Sequence, residues 1–144
     1  MNDFECKCMN KSKKYDPMYI AMDAHIGQFR RDGVTPYTEH LRSVVMKVDG
    51  DVDARSVAWL HDILEDTNET VESLSEHGVE EHIVEAIELL TKKTGESYQD
   101  YLSKIKENPL AKKVKIADML SNLEDDPTKK QVIKYCNGLI FLMT

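Results

Sequence analysis

Apolar positions recur at three- and four-residue spacing along almost the whole chain. Leu41, Val44, Val45 and Val48 fall on one stripe of a helical wheel, and Ile83, Ala86, Ile87 and Leu90 on another. This is the repeat of helices that bury one face. Asp16-Pro17, Asn108-Pro109 and Asp126-Pro127 each join a capping side chain to a proline at the first helical position, where its missing N–H costs nothing. Together these signals predict helices over about 17–30, 38–48, 53–64, 70–77, 79–90, 97–106, 109–123 and 127–142. Gly33 and Pro36 mark 32–37 as a loop, and Gly50 and Gly95 mark breaks. No stretch alternates with the period of two that a half-buried strand requires. The expected fold is all-α: a compact single-domain bundle of about eight helices over 16–144, preceded by a flexible tail over 1–15.

With 144 residues, the chain is long enough to bury a core without covalent staples. Hydrophobic residues make up 41% of it, yet no apolar run approaches the roughly 20 residues that span a bilayer. The polar stretch Met1–Lys14 lacks the apolar segment of a secretion signal. A soluble, cytoplasmic chain without a membrane partner is expected. Cys6, Cys8 and Cys136 are too few and too oddly spaced for a disulfide framework. The net charge of −7 argues against a nucleic-acid partner, because binding that backbone needs a basic footprint. It leaves room for a small anionic ligand held by local cations or a metal.

The run His61-Asp62-Ile63-Leu64-Glu65-Asp66 closes an apolar segment containing Val57, Ala58, Trp59 and Leu60. On an unbroken helix Glu65 stacks beside His61, and Asp66 beside Asp62. Four ionisable groups ending an apolar helix are costly to bury unless something compensates them. A divalent cation would do so; a solvated acidic helix end is the competing explanation. Two further helices place ionisable side chains among apolar neighbours: His40, and Asp118 within Val114–Leu120. Asn122 shares the Asp118 stripe, four residues on.

His40, His61-Asp62 and Asp118 together match the H…HD…D pattern of HD-superfamily metal-dependent phosphohydrolases. Ala24–Arg31, Pro36–His40, Leu60–Thr67 and Val114–Asp118 resemble, more narrowly, the hydrolase domain of RelA/SpoT-type alarmone enzymes and their small stand-alone relatives, over about 16–142. The resemblance implies an HD-domain fold and removal of the 3′-pyrophosphate of guanosine tetra- and pentaphosphate with Mn²⁺. It implies His40, His61, Asp62 and Asp118 as metal ligands and Glu65 and Asp66 as the catalytic acidic pair. Arg30 would stack on the base and Asn122 would contact the nucleotide.

Two imidazoles and two carboxylates are a mixed N/O set that suits Mn²⁺, Fe²⁺ or Zn²⁺ better than Ca²⁺. Arg31, Lys115 and Tyr98 are further candidates to line a nucleotide pocket, and Lys92 reads as a solvated face. His25 lies inside a motif without being a ligand there, which points to supporting contacts or packing. The chain departs from the family pattern at Met119 and His77, positions that bear on substrate more than on metal. No synthetase domain follows up to Thr144, so alarmone synthesis is not expected. Two alternatives stay open: a hydrolase of another nucleotide or phosphate ester, and a non-catalytic module that binds nucleotide or metal. The sequence does not decide whether the chain forms a homo-oligomer.

Overall fold

The computed structural model describes residues 16–144; the expected 1–15 tail, with Cys6 and Cys8, lies outside the described residues. The helices are α1 (Pro17–Ala24), α2 (Thr38–Lys47), α3 (Val52–Leu60), α4 (Ile63–Asp66), α5 (Val71–Glu76), α6 (Glu81–Leu89), α7 (Tyr98–Lys106), α8 (Pro109–Leu123) and α9 (Lys129–Met143). Among the described residues the fold is therefore all-α, with one isolated bridge between Phe29 and Pro36. The expected caps account for several starts. The Asp16 carboxylate accepts the Met18 N–H, and the Asn108 side chain accepts those of Leu110 and Ala111. Each satisfies donors that the first turn leaves unpaired.

Helix α3 runs through the middle, packed by α1, α2, α6 and α8. It suits that place because Ala54, Val57, Ala58, Trp59 and Leu60 are all buried, two of them small enough for neighbouring backbones to come close. Helix α8 is the second central element, burying Ala111, Val114, Ala117, Asp118, Met119 and Ser121. Because α2, α3 and α8 pack on one another, His40, His61 and Asp118 meet. Emptying the α3 contact by Leu60→Ala would cost about 2–5 kcal/mol.

Three boundaries differ from the sequence expectation. The first helix stops at Ala24 rather than near Arg30, and Gly27 then takes a φ of 79°, a left-handed conformation that ends a helix and suits glycine. The chain returns through a narrow loop in which Arg30 N–H donates to Thr35 C=O at 2.8 Å and Tyr37 N–H to Gln28 C=O at 2.9 Å. Asp32 ties the tip by accepting the N–H groups of Val34 and Thr35 and the Thr35 hydroxyl. Those hydrogen bonds, the Thr35 hydroxyl first, lower its carboxyl to about 2.

The helix expected over 53–64 breaks at His61-Asp62, and α4 is a separate single turn. His61 points into the interior while Glu65 and Asp66 reach the surface, so the stacked picture of an unbroken helix is corrected. The last helix starts at Lys129, capped by Thr128 in a capping box with Gln131 and not by Asp126, whose φ is 45°.

Helices α8 and α9 approach closely at Gly138. A β-carbon there would lie 2.6 Å from Met119 Cε. Among the described residues no helix is long and apolar enough to cross a membrane.

Candidate active site

His40 comes from the first turn of α2, His61 caps the end of α3, Asp62 stands in the joint before α4, and Asp118 projects from α8. His40, His61 and Asp118 are buried and offer three ligand atoms that all lie within 4.8 Å of one another. His40 Nε2 is 2.9 Å from Asp118 Oδ1, and His61 Nε2 is 3.4 Å from the same oxygen. Asp62 Oδ2 lies beside this group, 3.1 Å from His61 Nε2 and 4.0 Å from His40 Nε2. The Tyr37 hydroxyl donates to that same Asp62 oxygen.

The tautomer of His61 follows from its surroundings. Its Nδ1 lies 2.7 Å from the Ala58 carbonyl, which can only accept, so Nδ1 carries the hydrogen. In the neutral ring Nε2 is then a lone pair facing two carboxylates, and it has no hydrogen-bond partner among the described residues. A buried lone pair among anionic oxygens calls for a cation. Burial alone would lower the basicity of His61; the Asp62 and Asp118 charges outweigh it and raise His61 well above the imidazole range, so that a proton on Nε2 supplies the positive charge wherever no metal does. Burial likewise works against the Asp118 charge, yet Lys115 and then His61 hold that carboxyl well below its ordinary range. Asp62, despite burial, is held near about 2 by His61 and by the Tyr37 hydrogen bond. Two imidazole nitrogens and the Asp118 carboxylate converging on one point, with Asp62 beside them, fit a divalent ion.

Asp118 is held on every side. Lys115 Nζ donates to its Oδ2 at 3.0 Å, and Asn122 Nδ2 to its Oδ1 at 3.2 Å. Asn122 in turn accepts from Arg30, whose guanidinium also pairs with Asp125 at 2.7 Å and lies 5.8 Å from the Tyr37 ring centre. Arg30, Asn122 and Lys115 are therefore part of the cluster's rim. Arg31 turns elsewhere: it donates to the main-chain carbonyls of Asp125 and Asp126 and to Gln131, bracing the α8–α9 turn.

Beside the cluster opens a cavity of about 440 Å³ lined by Glu65, Lys92, Tyr98, Tyr101, Lys115 and Lys134. Lys134 Nζ lies 4.6 Å from the Tyr98 ring centre, and Lys115 Nζ lies 5.4 Å from that of Tyr101. Three ammonium groups on an aromatic floor make a pocket for an anionic ligand with a flat apolar part. Burial, and then the Lys115 charge, lower the basicity of Lys134. The Tyr98 hydroxyl is buried without a partner among the described residues.

Glu65 and Asp66 separate in their surroundings. Glu65 Oε1 accepts the Lys92 N–H at 2.6 Å, on the lysine side. Its carboxyl is raised by partial burial and by the Asp62 and Asp66 charges. Asp66 is also raised, by burial and then by Asp62, and the charges that oppose this are the three histidines, 25, 61 and 40. Glu65 thus sits on the lysine side, and the Asp66 carboxylate has no such anchor among the described residues. Sequence reasoning assigned no role to Tyr37, Gln28 or Lys134. Tyr37 and Gln28 lie inside the motif segments around His40 and His25, a signal that could have found them. Nothing in its local pattern marks Lys134 on the exposed side of α9.

No family model matches the chain. It is 30% identical over 129 residues to a Mycobacterium leprae protein named "Probable GTP pyrophosphokinase", a match covering 80% of this chain and 16% of that protein. It is 45% identical over 60 residues to the guanosine-3′,5′-bis(diphosphate) 3′-pyrophosphohydrolase of Haemophilus influenzae, covering 40% of this chain and 9% of that protein. The chain thus spans a small part of the length of the curated relatives it matches. Among solved structures it is similar to one described as a metazoan ortholog of SpoT that hydrolyzes ppGpp, with a TM-score of 0.72 and 23% identity, covering 91% of this chain and 85% of that one. The fold is that of an HD-type all-α domain. More narrowly, the similarities in fold and sequence support a RelA/SpoT-like HD domain.

Proposed function

We propose that this chain is a divalent-metal-dependent phosphohydrolase that removes the 3′-pyrophosphate of guanosine tetra- or pentaphosphate, with Mn²⁺ as the ion. The observation that carries this reading is the buried, unpartnered His61 Nε2, set between two carboxylates and next to a lysine-lined cavity. His40, His61, Asp62 and Asp118 hold the ion. When bound, such an ion neutralises phosphoryl charge and acidifies water.

The remaining work falls to the side chains around it. Asp66, the other member of the acidic pair, takes the proton of the attacking water. Glu65, with its raised carboxyl, returns a proton to the ribose 3′-oxygen as the phosphorus–oxygen bond breaks. Lys92, Lys115 and Lys134 receive phosphate oxygens, and Tyr98 offers its unpartnered hydroxyl and its ring. Arg30 and Asn122 contact the nucleoside from the opposite rim.

The test is a panel of guanosine 3′-pyrophosphates, other nucleotides and simple phosphate esters, assayed with Mn²⁺ and followed by product identification and elemental analysis. Pyrophosphate release from the guanosine 3′-pyrophosphates alone is the expected result. Turnover of another ester with none of these would remove the substrate assignment. A metal-loaded protein inert on the whole panel would remove the enzyme.

A further inference from the structure

Asp66 poses a positioning problem. Among the described residues no hydrogen bond holds its carboxylate, and α4 is only four residues long. A base in a phosphohydrolase must nonetheless be placed to within a fraction of an ångström. The structure supplies that restraint through the backbone. Gln28 Nε2 donates to the Asp66 main-chain carbonyl at 2.8 Å, one of the carbonyls a helix leaves unpaired at its end. A carbonyl only accepts, so the Gln28 amide must present its nitrogen there and its oxygen to the other side. That oxygen lies 2.7 Å from His25 Nδ1, which therefore carries the hydrogen.

Gln28 is itself pinned. Its N–H donates to the His25 carbonyl at 3.1 Å, and its carbonyl accepts the Tyr37 N–H at 2.9 Å. His25 is 2% exposed, with its ring centre 5.2 Å from that of Tyr37, the residue whose hydroxyl reaches Asp62. A buried imidazole and a surface-loop glutamine thus form one rigid strut, from the end of α1 to the end of α4.

We infer that His25 and Gln28 are positioning residues that hold the end of α4 so that the Asp66 carboxylate faces the metal-ligand cluster. The inference rests on the assignment of Asp66 as the base. Gln28→Glu is nearly isosteric and keeps the acceptor for His25 while deleting the N–H given to Asp66; Gln28→Leu removes both. His25→Asn places an amide nitrogen near the position of Nδ1, and His25→Leu does not.

The full chain and these variants, with Asp66→Asn as reference, are assayed with Mn²⁺ on guanosine 3′,5′-bis(diphosphate), or on whichever ester of the panel the wild type turns over. Bound Mn²⁺ is measured in each. Expected is a fall in kcat on the order of 10- to 100-fold in both Gln28 variants and in His25→Leu, with KM and Mn²⁺ content unchanged. His25→Asn should recover most of the lost turnover. Full turnover in both Gln28 variants beside a dead Asp66→Asn overturns the strut alone and leaves the base assignment standing. Loss of Mn²⁺ in Gln28→Glu overturns it as well, because the strut would then support the ligands. Full turnover in Asp66→Asn removes the base assignment and this inference together, as does a wild type inert on the whole panel.

Discussion

The molecule contains two histidine–carboxylate groupings whose distances barely differ. His40 Nε2 sits 2.9 Å from Asp118, with 3% and 8% of the two side chains exposed. His82 Nε2 sits 3.0 Å from Asp53, with 49% and 50% exposed, and its Nδ1 lies 3.5 Å from Glu80. Separation therefore does not distinguish a candidate metal centre from a surface ion pair. Two other things do. The buried grouping draws side chains from three helices onto one point, and apolar neighbours keep water from satisfying them in the ion's place. The exposed grouping has water on every side, where such a pair contributes about 0–1 kcal/mol.

The sharpest way to break this contrast is Asp118→Ala. It should abolish bound Mn²⁺ and reduce turnover to background. It also leaves the buried Lys115 without its counter-charge, so it should cost the fold about 3–5 kcal/mol by urea unfolding. Retained metal would mean that the buried grouping is no centre at all. Next comes Glu65→Gln, expected to keep its metal and lose turnover by roughly 10²- to 10⁴-fold.

The same variant carries a pH signature. Glu65 and Asp66 both have raised carboxyls. In the protonated form they favour the folded chain, and this contribution disappears as pH rises through their raised values. Glu65→Gln should therefore shift the urea midpoint upward near neutrality and leave it unchanged well below the carboxylate range. In the wild type, protonation of Asp66 should make kcat/KM fall on the acid side at a pH above that of an ordinary aspartate. Arg30→Ala should act more gently, raising KM by about tenfold with kcat little changed. At the bottom of the scale, Asp53→Ala should leave activity, metal content and stability alike, the last within about 0.5 kcal/mol. A large effect there would erase the distinction between the two groupings.

Much of the fold was legible because the strongest signals were local. Asn108-Pro109 starts α8 where the cap-plus-proline rule puts it, and the stripes of α2 and α6 bury the expected residues, Val45 only partly. His40, His61 and Asp118 stood out because each interrupts an apolar stripe, and three such interruptions are cheapest to bury together. Where local signals compete, the sequence was harder to read. Asp126-Pro127 looked like a helix start, but Thr128 offered a capping box two residues later and took the role. The run past Ala24 kept its apolar content, and the left-handed turn at Gly27 overrode it. Gln28, Tyr37 and Lys134 were out of reach for a different reason: their partners lie far off in the chain. Gln28 meets Asp66, Tyr37 meets Asp62, and Lys134 meets Tyr98 only once the helices have packed.

That packing has a consequence at Gly138. Lys134 stands one turn before it on α9, and Met119 is the immediate neighbour of Asp118 on α8. The missing side chain at 138 therefore lets the helix that carries Lys134 lie close against the helix that carries Asp118. A single methyl placed there would meet the end of the Met119 side chain, which would have to turn aside next to Asp118. The packing behind both the lysine and the aspartate is thereby tied to a position that belongs to neither group.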